Sequence, residues 1–134
     1  MNLKGGCLCR SIRYEASPPV LGQAVCHCRN CQKQSGSAFS VLVAVQRPAL
    51  KIEPFPVFYE DTADSGQWVN RYFCNRCGSP IFSEVAGSPD VLYLKAGTLD
   101  DPNWLAPRVH VWCDSAWPWT TFSADAIKIA KNPS

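Results

Sequence analysis

Seven of the eight cysteines in this 134-residue chain fall into three tight clusters whose thiols could bind metal. The clusters read Cys7-Leu-Cys9, Cys26-His-Cys28-Arg-Asn-Cys31 and Cys74-Asn-Arg-Cys77-Gly. In the third, the CxxC spacing lets two thiolates reach one ion, and the following glycine relaxes the turn. Cysteines two or three residues apart suit a shared metal ion better than a disulfide between themselves. The spacing therefore predicts metal binding, with the thiolate ligands that zinc favours.

Seven clustered cysteines cannot fill two four-coordinate zinc sites, so the natural division is four and three. The first and third clusters offer a closed, structural site, and this four-cysteine group comprises Cys7, Cys9, Cys74 and Cys77. The middle cluster leaves one coordination position open, as catalytic zinc sites do, and this three-cysteine group comprises Cys26, Cys28 and Cys31. In the alternative, a fourth protein ligand closes the second site and makes it structural too. The candidate ligands are His27, His110, Cys113 and a fixed carboxylate.

Short strands are expected to position these cysteines, because β-branched and aromatic residues recur between Gly, Pro, Asn and Asp. The predicted strands cover 11–15, 40–45, 68–73, 80–85, 91–96, 108–113 and 120–122. Helical periodicity is nearly absent, and only Cys28 to Gln34 and Ser123 to Ile127 favour a helical turn or two. We predict an all-β or β-rich fold forming a single domain over residues 1–134. The Pro-rich segment 48–56 is expected to cross between sheets as an irregular edge.

The composition excludes several classes of protein. With 46% hydrophobic and 18% charged residues, the chain is far from the disordered class. Its formal charge of +2 is too small for a dedicated nucleic-acid binder. Seven thiolates (−7) and two zinc ions (+4) would move that charge to about −1, which weakens a nucleic-acid role further. We expect neither nucleic acid nor membrane as a partner, because no apolar run approaches the roughly 18 residues of a membrane span.

The first residues, Met-Asn-Leu-Lys-Gly-Gly-Cys, lack the long apolar stretch of a secretory signal. An even number of cysteines in a small secreted protein would suggest a disulfide framework. Chains without a signal stay in reducing compartments, where thiols bind metal instead. We therefore expect a cytoplasmic metal-binding protein.

Several motifs together resemble the glutathione-dependent formaldehyde-activating enzyme family, also called the centromere-protein-V/Gfa domain. The motifs are Gly6–Cys9, Cys26–Lys33, Gly36-Ser37, Tyr72–Pro80, His110–Trp112 and Pro118-Trp119. The match runs from about Gly5 to Trp119, and three cysteine clusters in this order form a highly specific combination.

This resemblance implies a zinc-pinned, β-rich fold of the type called Mss-four-like, built from short antiparallel strands. It implies two Zn²⁺ per chain, a structural zinc on the four-cysteine group and a catalytic zinc on the three-cysteine group. The activity it implies is condensation of an aldehyde with a thiol, formally a carbon–sulfur lyase acting in reverse. The expected partners are a small-molecule thiol, glutathione or a similar one, and an aldehyde such as formaldehyde.

Four further residues are candidate substrate contacts. Ser35, Gly36 and Ser37 follow the middle cluster, and they could offer hydroxyls or backbone N–H groups to a carbonyl, or form an ordinary turn. His110 alternates with two valines in a predicted strand, where it either packs or orients substrate.

Two other residues are expected to stay out of the metal sites. His27 sits between two ligands, so its side chain should point away from the ion they share. Cys113 lies on the face of Val109 and Val111 and resembles a small buried hydrophobe. A competing hypothesis is a non-catalytic, zinc-pinned module that binds a protein partner, and such a module would need only the four-cysteine group.

Overall fold

The structure, a computed structural model, describes residues 2–132. Strands make up 40% of the chain and helices 12%, which confirms the β-rich prediction. The strands are β1 (Leu3–Gly6), β2 (Arg13–Ala16), β3 (Gly22–Cys26), β4 (Ser40–Gln46), β5 (Leu50–Glu53), β6 (Val57–Thr62), β7 (Trp68–Phe73), β8 (Pro80–Val85), β9 (Val91–Lys95), β10 (Val109–Val111) and β11 (Ile127–Lys128). The helices are α1 (Arg29–Ser35) and three short 3-10 turns, Arg47–Ala49, Ala96–Thr98 and Cys113–Ser115.

These strands form two sheets. The small sheet has the order β1-β2-β5, and the large sheet has the order β11-β10-β3-β4-β9-β8-β7-β6. Neighbouring strands are antiparallel, except that β10 runs parallel to both β3 and β11. This arrangement places β9 near the middle of the large sheet and β6 at its edge, which decides how exposed their side chains are.

The main core draws on both sheets. Tyr14 of β2 is buried together with Val43 of β4, Phe82 of β8 and Leu94 of β9. Alternate residues of a strand point to opposite faces, so one face of the large sheet supplies this core. Fully burying each such side chain contributes about 1.5 to 3 kcal/mol. The other face is left for a second, smaller cluster that contains the thiols of the three-cysteine group.

Helix α1 forms where the sequence predicts it, and its two caps explain its length. The Sγ of Cys28 accepts a hydrogen bond from the backbone N–H of Cys31 at 3.2 Å, so a candidate metal ligand is also the N-cap. The helix ends at Gly36, whose φ of 68° lies in the left-handed region that glycine tolerates best. None of the helices described is both long enough and apolar enough to cross a membrane.

The element predictions miss five strands, β1, β3, β5, β6 and β11, and they also differ from the structure near the C-terminus. The predicted strands 68–73 and 80–85 match β7 and β8. The strand predicted over 108–113 ends at Val111, because Trp112 adopts a left-handed conformation (φ 57°) and a 3-10 turn follows. Residues 120–122 form no strand, and β11 takes part of the segment expected to be helical. The segment 48–56 contains β5, an edge strand of the small sheet, and leads into β6 of the large sheet.

Candidate metal centres and the cleft beside them

The four-cysteine group is assembled from two distant parts of the chain. Its sulfurs all lie within 4.8 Å of one another. Cys7 and Cys9 follow β1, whereas Cys74 and Cys77 lie in the connection between β7 and β8. The Sγ atoms of Cys7 and Cys9 are 3.6 Å apart, and those of Cys9 and Cys74 are 3.8 Å apart. The pairing expected from the sequence is therefore present in space.

These distances fit a tetrahedral zinc ion. With Zn–S bonds of about 2.3 Å, the sulfurs of a tetrahedral site lie about 3.8 Å apart. Backbone N–H groups also donate hydrogen bonds to these sulfurs. The N–H of Ile12 donates to the Sγ of Cys7 at 3.2 Å, and the N–H of Arg76 donates to the Sγ of Cys74 at 3.4 Å. Gly78 has a φ of 80°, so the glycine after the CxxC pair supplies a conformation that other residues rarely adopt. Geometry and donor chemistry agree on a closed four-thiolate site.

Two serines beside this group are not evident from its spacing. The hydroxyl of Ser11 lies 3.1 Å from the Sγ of Cys9, and that of Ser79 lies 3.2 Å from the Sγ of Cys77. The hydrogen bond with Ser79, aided by backbone donors, lowers the pKa of Cys77 to about 5. Both serines follow the second cysteine of a pair by two residues, which is the only sequence signal that marks them.

The three-cysteine group lies where β3 meets α1. Cys26 ends β3, Cys28 caps the helix and Cys31 belongs to its first turn. All three thiols are buried, and their sulfurs lie within 4.8 Å of one another. Leu42 and Trp112 pack against them and limit access of water. Three converging thiols fit a soft metal such as zinc, and the gathered ligand atoms in the described part of the chain include no fourth side chain.

Two buried cations lie beside these thiols, and sequence analysis missed both. Arg71 of β7 donates from Nη1 to the Sγ of Cys31 at 3.8 Å and from Nε to Asp61 at 2.8 Å. Lys95 of β9 donates from Nζ to the Oγ of Ser40 at 2.9 Å. The sequence does mark both residues. Arg71 lies in the alternating strand β7 and Lys95 at the end of the apolar strand β9, where a basic residue is unusual.

The cations and thiols influence one another's protonation. Hydrogen bonds from Cys26 and Cys28, followed by the positive charges of Lys95 and Arg71, lower the pKa of Cys31. Hydrogen bonding to its two neighbours raises the pKa of Cys26, and burial adds to that rise. Burial lowers the pKa of Lys95, although the nearby thiolate of Cys31 opposes this shift. The surroundings thus favour negative charge on sulfur at Cys31, which is the state a metal ligand needs.

A cleft of about 300 Å³ lies where the end of α1 meets the start of β4 and the end of β9. None of the three thiols lines it, but Ser40 in its wall stands opposite Cys26 in the register of β3 and β4. Its polar lining comprises Ser35, Ser40, Ser79, Lys95 and Thr98, and Phe39 is among its apolar residues. Of the predicted substrate contacts, the structure brings Ser35 to this cleft, whereas Gly36, Ser37 and His110 do not line it.

The backbone N–H groups of Gly36 and Ser37 both bind the carbonyl of Gln32, at 2.9 and 3.2 Å. Those two donors close the C-terminal end of α1 and are not directed at a ligand.

A family model described as glutathione-dependent formaldehyde-activating enzyme matches residues 2–115 of this chain. The chain belongs to this family. Among solved structures, it is similar to a protein from Rhodobacter sphaeroides, with a TM-score of 0.58 and 17% identity. That alignment covers 78% of this chain and 92% of the other, and it shows a shared fold. No curated protein sequence matches the chain significantly.

The two histidines of this family member pair with each other. His27 is fully buried, and its Nε2 lies 3.0 Å from the Nδ1 of His110. The rings of Phe39 and Phe122 pack around them. Burial lowers the pKa of both histidines, which favours their neutral forms. Neither ring belongs to a gathered set of ligand atoms among residues 2–132.

Cys113 likewise stands apart from the three-cysteine group. It begins the 3-10 turn after Trp112, is half-buried, and lies 3.5 Å from the carbonyl oxygen of His110. The sequence analysis placed Cys113 on the same strand face as Val109 and Val111. In the structure the strand ends at Val111, so Cys113 lies outside it. In the structure, the sulfur packs beside a backbone turn and reaches no set of ligand atoms within the described residues.

Proposed function

We propose that the protein joins a small thiol, glutathione or a close analogue, to an aldehyde such as formaldehyde. The reaction is that of a carbon–sulfur lyase running in the direction of synthesis, as the description of its family suggests. The observation that carries the proposal is the three-cysteine group, whose buried thiols lie near two buried cations, one of which, Lys95, lines a cleft. A purely structural site needs four ligands and no cleft.

The two cysteine groups have different roles in this proposal. The four-cysteine group would hold a structural zinc that fastens the N-terminal strands to the connection between β7 and β8. The three-cysteine group would hold a second zinc, which when bound would supply an exchangeable position where a substrate thiol loses its proton. Reduced thiols are required in both groups, so we place the reaction in a reducing compartment such as the cytoplasm.

The protein's own residues contribute binding, charge and exclusion of water. Arg71 and Lys95 offset the negative charge that gathers on the thiols, which lowers the cost of placing one more anionic sulfur there. Leu42 and Trp112 cover the thiols. The cleft offers a small aldehyde a binding place next to Ser40, which stands opposite Cys26, and Ser35 and Lys95 also line it.

Zinc analysis and X-ray absorption, with and without glutathione, test the proposal. We expect two zinc ions per chain, and glutathione should add sulfur to the shell of the three-cysteine site alone. NMR exchange spectroscopy should show faster interconversion of formaldehyde and its glutathione adduct with protein than without it. The four-cysteine group serves as the internal control, because its shell should not change. An unchanged shell at both sites together with an unchanged exchange rate contradicts the proposal.

A second candidate, a zinc-pinned module that binds a protein partner, is favoured by the edge of the large sheet. Exposed apolar side chains occur on both faces of this edge around β6, and they are Phe55, Val57, Phe58, Tyr59 and Trp68. Exposed apolar patches and open strand edges are common at protein interfaces. The two functions separate experimentally: Cys31→Ser should abolish the reaction and leave partner binding intact, whereas Phe58→Ser should do the reverse.

A further inference from the structure

Lys95 and Ser40 form a pair of hydrogen-bond donors on the wall of the cleft. Lys95 ends β9, is only 6% exposed, and donates to the Oγ of Ser40 at 2.9 Å. Both residues line the cleft. An ammonium group carries three N–H donors, and this is the one hydrogen bond that the Lys95 side chain makes to residues 2–132. Donor capacity therefore remains for a group that enters the cleft.

The same pair is also next to the thiols. Ser40 stands directly opposite Cys26 in the register of β3 and β4. Lys95 stands opposite Leu42, and Leu42 packs against the three-cysteine group. The donor pair thus faces the cleft and is also close to the sulfurs.

Lys95 differs from Arg71 in what satisfies its charge. Arg71 is paired with the carboxylate of Asp61, and it does not line the cleft. Lys95 forms no ion pair with a carboxylate in the part of the chain that the structure describes. The thiols provide the nearest negative charge, but none of them accepts a hydrogen bond from Lys95, so an anion arriving in the cleft would gain a direct contact with the ammonium group.

We propose that Lys95, assisted by Ser40, holds the carbonyl oxygen of the aldehyde and stabilises the alkoxide formed there. This inference rests on the proposed function and adds the residues that bind the second substrate. As the sulfur–carbon bond forms, the π electrons of the C=O bond move to oxygen. The alkoxide then takes a proton from the ammonium group. The proton that the substrate thiol released restores it, so the net change is thiol plus aldehyde to hemithioacetal.

Binding of two S-substituted glutathiones to the zinc-loaded protein tests this assignment by calorimetry. In S-carboxymethylglutathione, an anionic carboxylate oxygen lies one bond farther from sulfur than the alkoxide oxygen of the adduct would. In S-ethylglutathione, a neutral methyl group takes the place of that carboxylate. The wild-type protein should prefer the carboxymethyl ligand. Lys95→Met should reduce affinity for it by on the order of tenfold or more, as expected for a lost charged hydrogen bond. Affinity for the ethyl ligand should be unchanged, and Lys95→Arg should restore the preference.

Zinc content and turnover complete the experiment. Lys95→Met should keep two zinc ions and still add glutathione sulfur to the three-cysteine site, while the exchange rate with formaldehyde falls on the order of 100-fold. Lys51→Met, at an exposed strand lysine, is the matched control and should change nothing. Ser40→Ala, the gentler second variant, should weaken the preference by about threefold to tenfold.

Two outcomes would overturn the assignment of Lys95. One is a wild-type protein that binds the two ligands equally. The other is a Lys95→Met variant that loses zinc and weakens both ligands alike, because the lysine would then only balance the charge of the thiolates. Either result leaves the proposed function standing if glutathione still adds sulfur in the wild-type protein. A wild-type protein to which glutathione adds no sulfur would instead contradict the proposed function itself.

Discussion

Arg71 of β7 donates from its Nη1 to the Sγ of Cys31 in α1 at 3.8 Å, across the face of the sheet opposite the main core. Its Nε binds Asp61 of the edge strand at 2.8 Å, and Asn30 of α1 donates to the same carboxylate at 3.0 Å. The arginine side chain is 5% exposed, so these contacts are made largely without water. The helix that carries the middle cysteines is therefore fastened to two strands by polar contacts.

Replacing this arginine should loosen the helix from the sheet. Arg71→Met leaves the carboxylate of Asp61 without its cation, so we expect a loss of about 1 to 3 kcal/mol in the free energy of unfolding. The three-cysteine site should also release zinc to a chelator faster. Arg13→Met is the matched control, because the pair of Arg13 with Asp100 is half exposed and should contribute less than about 1 kcal/mol. Equal effects of the two variants in chemical denaturation would contradict this reading.

Cys77→Ser should unfold or precipitate the protein. The four-cysteine group joins segments 65 residues apart, measured between Cys9 and Cys74. Structural zinc sites bind with apparent energies of about 10 to 16 kcal/mol, comparable to the whole stability of a domain, about 5 to 15 kcal/mol. Circular dichroism and zinc analysis check this. A folded variant with a native melting transition and both zinc ions would refute the structural assignment.

Cys31→Ser should remove one zinc and the activity but leave the sheets intact. Its thiol lies in the smaller cluster, apart from the main core, and the N-cap contact to Cys28 uses the backbone N–H, which the variant retains. Zinc content should fall from two to one, and the far-ultraviolet spectrum should remain close to that of the wild type. A variant that retains both ions would show that the third thiol is not a ligand.

Cys113→Ala should keep the full zinc content. The sulfur is half-buried beside a 3-10 turn and is grouped with no other ligand atoms in the described residues. We expect a loss of about 1 kcal/mol or less, on the order of a small cavity. The variant also serves as the control for Cys31→Ser, because each removes one thiol from the same end of the large sheet. Loss of one zinc equivalent would make Cys113 the missing fourth ligand.

Glu84 should make stability sensitive to acid. Burial alone would raise its pKa, but hydrogen bonds from Asn70 (2.9 Å), Arg47 and Tyr72 (2.8 Å) outweigh burial and lower it. A lowered pKa in the folded state adds stability above the unfolded value of about 4.3, and this stability is lost as pH falls through the folded value.

Glu84→Gln should therefore cost about 1 to 3 kcal/mol at pH 7, and less as the pH falls from about 5 to 3. Melting curves of both proteins across this range check the prediction. Release of zinc in acid affects both equally, so the difference between them isolates the carboxylate. A gap that stays constant with pH would contradict it.

The sequence predicted the two cysteine groups more completely than it predicted the strands. The spacing within each cluster is a local property, which made the clusters easy to recognise, and dividing seven cysteines into four and three predicted how the clusters combine. Gly78 was predictable for the same reason. Strands β7 and β8 were also recovered, since turn-forming residues bound them on both sides.

Features that depend on tertiary structure escaped sequence analysis. Nothing local shows that Lys95 and Ser40 share a cleft, because strand order brings them together across 55 residues. The left-handed turn at Trp112 is equally invisible, since tryptophan has no preference for that conformation. The sequence left open whether the N–H groups of Gly36 and Ser37 contact a substrate or form a turn, and the helix end uses both. In each case a long-range contact or a cap decided the outcome.

The two cysteine groups also differ in how much of the chain must exist before each can form. The three-cysteine group is complete within six residues, Cys26 to Cys31, where the end of β3 meets the start of α1. The four-cysteine group closes only after Cys77 has been made, because it joins the first strand to the middle of the chain. During synthesis on the ribosome, all three thiols of the middle cluster are therefore present long before the four-cysteine group can be complete. If both groups bind zinc as we propose, the three-cysteine group can take up its ion first, and the ion that joins the first strand to the middle of the chain comes last.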